Sequence, residues 1–489
     1  MRGRLCEAGP RGRRGAPLGY PAILRGAERR RRHGAASATL VRNKTPQERD
    51  TMRLTIERMA YGPDGLAHTE DGKAVFVAGG VVGDVVEARV DSEDASLVRA
   101  TVESVVEASP HRVEAPCPFV GVCGGCPWGA LDRKTQLAAK EDNLRSALMR
   151  IGKFTADEVA ALVRPIRSTR DAWGYRNKVE LAPSVERGRV RLGMHGRDPK
   201  QIISVGSCPL FEKKYSRAIK AVAGALGYLG NSRDLSLDRV GVRASRRTGA
   251  VEVALWTPTG PFPRAHVARV LEDALAPTGI VRVMTKGEQR ARRVSKVELL
   301  AGEGSWSEKI ADGRMRVSAP SFFQVNTAAA EILIDLVMDA LKPEPEDLAI
   351  DLYCGAGTFT MPLARRCDFV AAVEAYGPAV RDLRHNIDAA NLSNVDIIGG
   401  DAVKEFPDQD ADVLVVDPPR AGLAAEAVGL IASTSARDVA YVSCDPATLA
   451  RDLARFRADG TFRVVSATPV DLFPQTFHCE TVVHLTRNN

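Results

Sequence analysis

The strongest constraint lies in the last 175 or so residues, where short apolar runs alternate with helical stretches. LAIDLY (348–353), FVAAVEA (369–375), VDIIGG (395–400), VLVVDPP (413–419), VAYVSC (439–444) and TVVHLT (481–486) each hold consecutive apolar residues, not apolar residues at every second position. Such runs suit strands buried on both faces, whereas a half-solvated strand would alternate. Residues 316–489 are therefore expected to form a doubly wound, Rossmann-like α/β domain. Its parallel sheet would be covered on both sides by helices such as AEILIDLVMDAL (330–341).

Within that domain, DLYCGAGTFT (351–360) follows a strand and opens a helix. Gly355 and Gly357 allow a tight turn and a close approach of backbone to ligand. Glu374 stands 23 residues after Asp351, at the end of the next strand, where a carboxylate can accept hydrogen bonds from ribose hydroxyls. Thr360 occupies the third glycine position of a G-x-G-x-x-G pattern. That substitution favours S-adenosylmethionine over NAD as the cofactor.

Two further segments place reactive groups at the same end of the sheet. DPPR (417–420) ends one strand with a stiff edge beside the cofactor cleft, and Cys444 ends the next, flanked by Ser443, Asp445 and Pro446. A thiol at that crevice can act as a nucleophile toward an electrophilic carbon. Glu480, just before the last strand, is a candidate general base, and His478 is its neighbour. Cys354, Cys367 and Cys479 read as packing residues.

The rest of the chain is organised differently. The whole protein has a formal charge of +7, but residues 1–50 hold thirteen Lys or Arg against four acids, a net +9. The remaining residues therefore sum to −2, and the overall charge says nothing about a partner. Local clusters still stand out: ten basic side chains against four acids in residues 161–200, and Lys286, Arg290, Arg292, Arg293 and Lys296 further on. Residues 1–51 read as a disordered basic extension, with the patterned chain beginning at Met52. Residues 52–108 alternate in short runs divided by Gly-rich turns, the pattern of a small OB-like β-barrel. Residues 109–315 are expected to form an α+β domain.

Nine cysteines are too few for a disulfide scaffold in a chain of 489 residues. Cys117, Cys123 and Cys126 form a C-x5-C-x2-C run with Cys208 downstream, a four-thiolate set that suits either zinc or a [4Fe–4S] cluster. No run of about 18 apolar residues occurs, and no export signal is evident, so a cytoplasmic protein without a membrane span is expected.

Taken together, these motifs resemble the iron–sulfur-containing RNA (uracil-5-)-methyltransferases, over about residues 52–489. AYGPDGLAH (60–68) with AVFVAGGVVGDVVEARV (74–90) is similar to the family's TRAM domain. GYRNKVEL (174–181) and VGSCPL (205–210) are similar to its central domain, while SFFQVN (321–326), DLYCGAG, VVDPPRAG, VSCDPATLARDL and FHCETVVHL resemble its catalytic blocks in order. The resemblance implies a [4Fe–4S] cluster on Cys117, Cys123, Cys126 and Cys208. It also implies an S-adenosylmethionine site lined by Gln324, Tyr353, Gly355, Gly357, Glu374, Asp401 and Asp417, with Thr358 at a position where the family can carry Asn. Cys444 matches the nucleophile and Glu480 the base. The implied partner is RNA, with 23S ribosomal RNA as the first expectation and transfer RNA as the alternative, and the protein is expected to act as a monomer. Two rivals are an RNA cytosine-5-methyltransferase, which would carry a Cys directly after the strand-end Asp-x-Pro, and a non-catalytic RNA-binding factor.

Overall fold

A computed structural model describes residues 51–232, 234–287, 293–311 and 313–488. The basic extension, apart from Thr51, and Arg290 and Arg292 of the second basic cluster lie outside the described residues.

Three sheets of six or more strands organise the chain. The first has six strands between Thr51 and Glu107. Its alternating residues Leu54, Ile56, Val75, Val77, Val86, Ala88 and Val98 point into one small core, as expected for a sheet with one solvated face. The second has seven strands between Lys178 and Gly302, with helices Ala218–Ser232 and Arg264–Leu275 packed against it. The third has eight strands, running in the order Val395–Gly399, Phe369–Glu374, Leu348–Leu352, Val413–Val416, Asp438–Ser443, Glu480–Arg487, Phe462–Asp471 and Arg167–Ser168.

This third sheet is parallel through its first five strands, antiparallel on both sides of Glu480–Arg487, and ends with Arg167–Ser168 parallel to Phe462–Asp471. Its central strands are buried along their whole length, and separate apolar clusters cover the two faces. The chain first moves outward from Leu348–Leu352 and then returns to its other side at Val413–Val416. That reversal is the crevice where open α/β sheets receive ligands.

Packing does not follow the chain in simple blocks. Helices Arg133–Arg150 and Ala156–Leu162 bury Leu144, Leu148, Val159 and Val163 against the third sheet, and Arg167–Ser168 joins its edge. The hairpin Trp306–Ile310 and Gly313–Val317 likewise inserts Trp306, Met315 and Val317 beside helix Thr327–Leu341. The spacing of Leu137, Leu144, Leu148 and Ile151 suits a helix but does not say which sheet receives it. Strand Phe462–Asp471 is not apparent in the sequence, because its exposure is mixed and Pro469 lies inside it.

Candidate active site

The glycine loop adopts the conformation its residues permit. Gly355 and Gly357 have φ of 57° and 102°, and a Cβ at Gly357 would lie 2.7 Å from Leu383 Cδ1. Tyr353, with φ of 65°, enters the same region without being glycine, and its N–H and that of Cys354 both donate to Val373 O. Glu374 accepts from Gly355 N–H at 2.9 Å and Tyr376 N–H at 2.6 Å, so its carboxylate tethers the loop to the next strand.

Carboxyl groups converge at this crevice. Asp351 is fully buried and accepts from Thr360 Oγ1 at 2.6 Å, while its other oxygen is buried without a hydrogen-bond partner. Burial, followed by the charges of Asp417 and Glu374, pushes Asp351 up to about 8. Asp417 rises to about 7 through burial and the charge of Glu374. Burial also raises Glu374 itself. The charge of Glu374 thus opposes ionisation of both aspartates, and that of Asp417 opposes ionisation of Asp351, a strain that a cation would relieve.

Gln324 is buried, and its side-chain carbonyl has no hydrogen-bond partner. Its backbone carbonyl accepts from Asn177 Nδ2 at 2.9 Å, so the central sheet helps to fix it. Asp401 is exposed and accepts from Val403 and Lys404 N–H, and its charge reaches the Tyr353 phenol. Thr358 is half-buried in the loop.

The register of the sheet brings Cys444 and Glu480 together. Strands Asp438–Ser443 and Glu480–Arg487 pair antiparallel with Ser443 opposite Thr481, so Cys444 and Glu480 are the residues next to that last pair and lie close enough for the Glu480 charge to act on the thiol. Glu480 is buried, and its burial and the charge of Asp417 push it up to about 8, against an opposing pull from Arg420. Burial, then Glu480 and Asp417, push the half-buried Cys444 up to about 12; Arg420 is the opposing cation. Burial and the cations Arg420, Lys140 and Arg176 press the neighbouring His478 down to about 4, leaving it neutral at physiological pH.

Cys444 also precedes the N-terminus of helix Pro446–Asp459. Asp445 caps that helix, its Oδ1 accepting from Ala447 N–H at 2.9 Å and Thr448 N–H at 3.0 Å, and Pro446 supplies a preset first helical φ. The same helix pins the loop after DPPR. Thr448 Oγ1 donates to Arg420 O at 3.1 Å, Arg451 donates to Ala421 O at 2.7 Å, and Leu423 N–H donates to buried Asp452 at 2.8 Å. Asp452, which also accepts from Tyr441 at 2.8 Å, does not stand out in the sequence. Its burial inside a helix is the missing information.

The remaining candidate cysteines form a second group. Cys117, Cys123, Cys126 and Cys208 line one cavity of about 490 Å³, together with Phe119, Arg176 and Leu210. Their mutual charges raise Cys126, as burial does to a greater extent. Among the described residues no group of three or more His, Cys, Asp or Glu stands close enough to hold a single metal ion.

Residues 309–488 match the tRNA (Uracil-5-)-methyltransferase family and residues 46–102 the TRAM domain. An uncharacterised RNA methyltransferase of Gloeobacter violaceus is 35% identical over 453 residues, covering 90% of this chain and 97% of its own length. One of Halalkalibacterium halodurans is 32% identical over 453 residues, covering 90% and 98%. Among solved structures, the Pyrococcus abyssi tRNA (uracil-54, C5)-methyltransferase in complex with S-adenosyl-L-homocysteine shares the fold, with a TM-score of 0.69, 24% identity, and coverage of 88% of this chain and 99% of that one. Among the described residues, no helix is long and apolar enough to cross a membrane. The chain belongs to the TRAM-containing RNA (uracil-5-)-methyltransferase family and is an S-adenosylmethionine-dependent RNA methyltransferase.

Proposed function

We propose that the protein methylates C5 of a uridine in RNA, 23S ribosomal RNA before transfer RNA, with Cys444 as nucleophile and Glu480 as general base. The observation that carries this reading is the pairing of Ser443 with Thr481, which sets a thiol close to a buried carboxyl at the ligand crevice. Uracil C5 is a weak nucleophile. Addition of the Cys444 thiolate to C6 forms an S–C6 bond and moves an electron pair toward C5 and O4. S-adenosylmethionine, when bound, supplies an electrophilic methyl group to that carbon. The Glu480 carboxylate then takes the C5 proton, and the returning pair expels Cys444 from C6, restoring the ring and freeing the thiolate. A uridine must leave its stack to reach a thiol in this position.

The cofactor site fits the residues present. Gln324 and Asp351 each bury an unpartnered oxygen, and Tyr353, Gly355, Gly357, Thr358, Glu374, Asp401 and Asp417 surround the same strand ends. A sulfonium carries the positive charge that the converging carboxyls favour.

The four thiols fit a [4Fe–4S] cluster. They surround one cavity and supply a donor set made of sulfur alone, which suits a [4Fe–4S] cluster or zinc, and the family resemblance selects the cluster. The cluster has no redox part in the scheme above and serves the structure of the residues between the barrel and the catalytic sheet. The domain limits proposed are 52–108, 109–315 and 316–489, with helix Arg133–Arg150 packed across the last boundary.

Labelled S-adenosylmethionine, separated unmethylated ribosomal and transfer RNA, and nucleoside mass spectrometry test the activity and its target. The expected product is 5-methyluridine in ribosomal RNA. Label in transfer RNA alone would reassign the substrate, and labelled 5-methylcytidine would remove the uracil reading.

A further inference from the structure

One side chain of the TRAM domain reaches both catalytic loops. Tyr61 stands in the turn after strand Arg58–Met59, and its hydroxyl donates to Asp445 Oδ2 at 3.1 Å, across 384 residues of chain. Asp445 has its other oxygen committed to the helix cap, so the two ends of its carboxylate serve two different elements. The Tyr61 ring meets Phe477 edge-on at 5.6 Å and 89°, and Phe477 lies 4.1 Å from His478. Tyr61 therefore touches the residue after Cys444 and the loop that leads into Glu480.

The turn that carries Tyr61 is itself held from outside the barrel. Trp128 Nε1 donates to Gly62 O at 3.1 Å, and Arg197 pairs with Asp64 at 2.6 Å. Burial, Asp445 and Cys444 all push the Tyr61 phenol far above its ordinary range, so it remains a donor. The groups acting on Cys444 from the surrounding elements are Glu480, Asp417 and Asp445, which oppose its ionisation, and Arg420, which favours it.

We propose that Tyr61 is a positioning residue of the catalytic centre: by donating to Asp445 it disperses the charge beside Cys444, so the docked barrel sets the acidity and aim of the thiol. This rests on the reading of Cys444 as the nucleophile. Removing the hydroxyl leaves Asp445 a more concentrated charge beside the thiol, which opposes the thiolate.

The test compares full-length wild type with Tyr61→Phe, which keeps the ring and its contact with Phe477. Alkylation of Cys444 by iodoacetamide is followed against pH by mass spectrometry of its peptide. Tyr61→Phe is expected to move the reactivity curve up by roughly half a pH unit and to slow alkylation about threefold at fixed pH. Asp445→Asn, which retains a capping oxygen, should move the curve the other way, and adding Tyr61→Phe to it should change nothing further. Curves that coincide for wild type and Tyr61→Phe overturn the proposal, as does a Tyr61→Phe shift that persists with Asn at 445. In single-turnover methyl transfer to unmethylated RNA, Tyr61→Phe should be about tenfold slower with unchanged cofactor affinity; an unchanged rate counts against it. Failure of the wild type to methylate any RNA would instead remove the activity reading, while alkylation still decides the role of Tyr61.

Discussion

The two cysteine sites differ in the charges around them. At Cys123, Cys126 and Cys208, the charges that act most are those of the other thiols and of one cation, Arg176. At Cys444 three carboxyls act, from Glu480, Asp417 and Asp445, against Arg420. Four thiolates facing one another repel and need a positive group in their midst. A single thiol among carboxyls stays protonated at rest and ionises only when its proton has somewhere to go. The first arrangement suits permanent ligation and the second suits a reversible nucleophile. Residue type alone does not separate them.

The largest effect should come from disabling each site in turn by mutation. Cys444→Ala is expected to reduce methyl transfer at least about a thousandfold while cofactor binding and melting temperature stay near wild type. Cys126→Ser should do the reverse in kind, lowering iron content and melting temperature first and activity only through them. Iron analysis, calorimetry and the methyl-transfer assay on both variants check this. Retained turnover in Cys444→Ala would remove Cys444 as the nucleophile.

A smaller effect follows from Glu480. Its folded pKa of about 8 lies above the ordinary carboxylate value, so the base form accumulates as pH rises, and kcat/KM should climb between about pH 7 and 9. Asp417 raises Glu480, so Asp417→Asn should move that limb to lower pH, by roughly half a unit, whatever it does to the maximum. A pH–rate profile of each protein reads this directly. A limb that stays in place would show that Asp417 does not act on the base.

The smallest effect concerns the cofactor. S-adenosylmethionine carries a sulfonium charge that S-adenosylhomocysteine lacks, and Asp417 ionises near 7. Preference for the charged ligand should therefore grow modestly, about twofold to fivefold, from pH 6 to pH 8. Titration calorimetry at the two pH values measures it, and a constant ratio would separate the carboxyls from the sulfonium.

How much of this is legible in the sequence depends on what each residue's neighbours encode. The buried strands Leu348–Leu352, Phe369–Glu374, Val413–Val416 and Asp438–Ser443 are legible because parallel strands covered on both faces need apolar residues at nearly every position. Cys444 and Glu480 can be placed at strand ends, but their apposition depends on the register of the last two strands. Phe462–Asp471, the strand that intervenes in the chain, lacks a clean pattern. Helix Arg133–Arg150 is legible as a helix, while its destination is not: buried Lys140, paired with Asp471 from the catalytic sheet, is a polar anchor that no apolar period announces. Tyr61 is beyond reach for the same reason, since its partner lies 384 residues away and the turn around it looks like any Gly-Pro-Asp-Gly turn.

In the proposed mechanism Cys444 bonds to the substrate and Glu480 releases it. Glu480→Gln keeps the shape of the buried side chain but cannot take the C5 proton, so the S–C6 bond should outlive methyl transfer. Incubation of this variant with unmethylated RNA and S-adenosylmethionine, followed by nuclease digestion and peptide mass spectrometry, is the most direct measurement. A methylated uridine attached to the peptide containing Cys444 is the expected result. Free 5-methyluridine at the wild-type rate, with no adduct at Cys444, would contradict it.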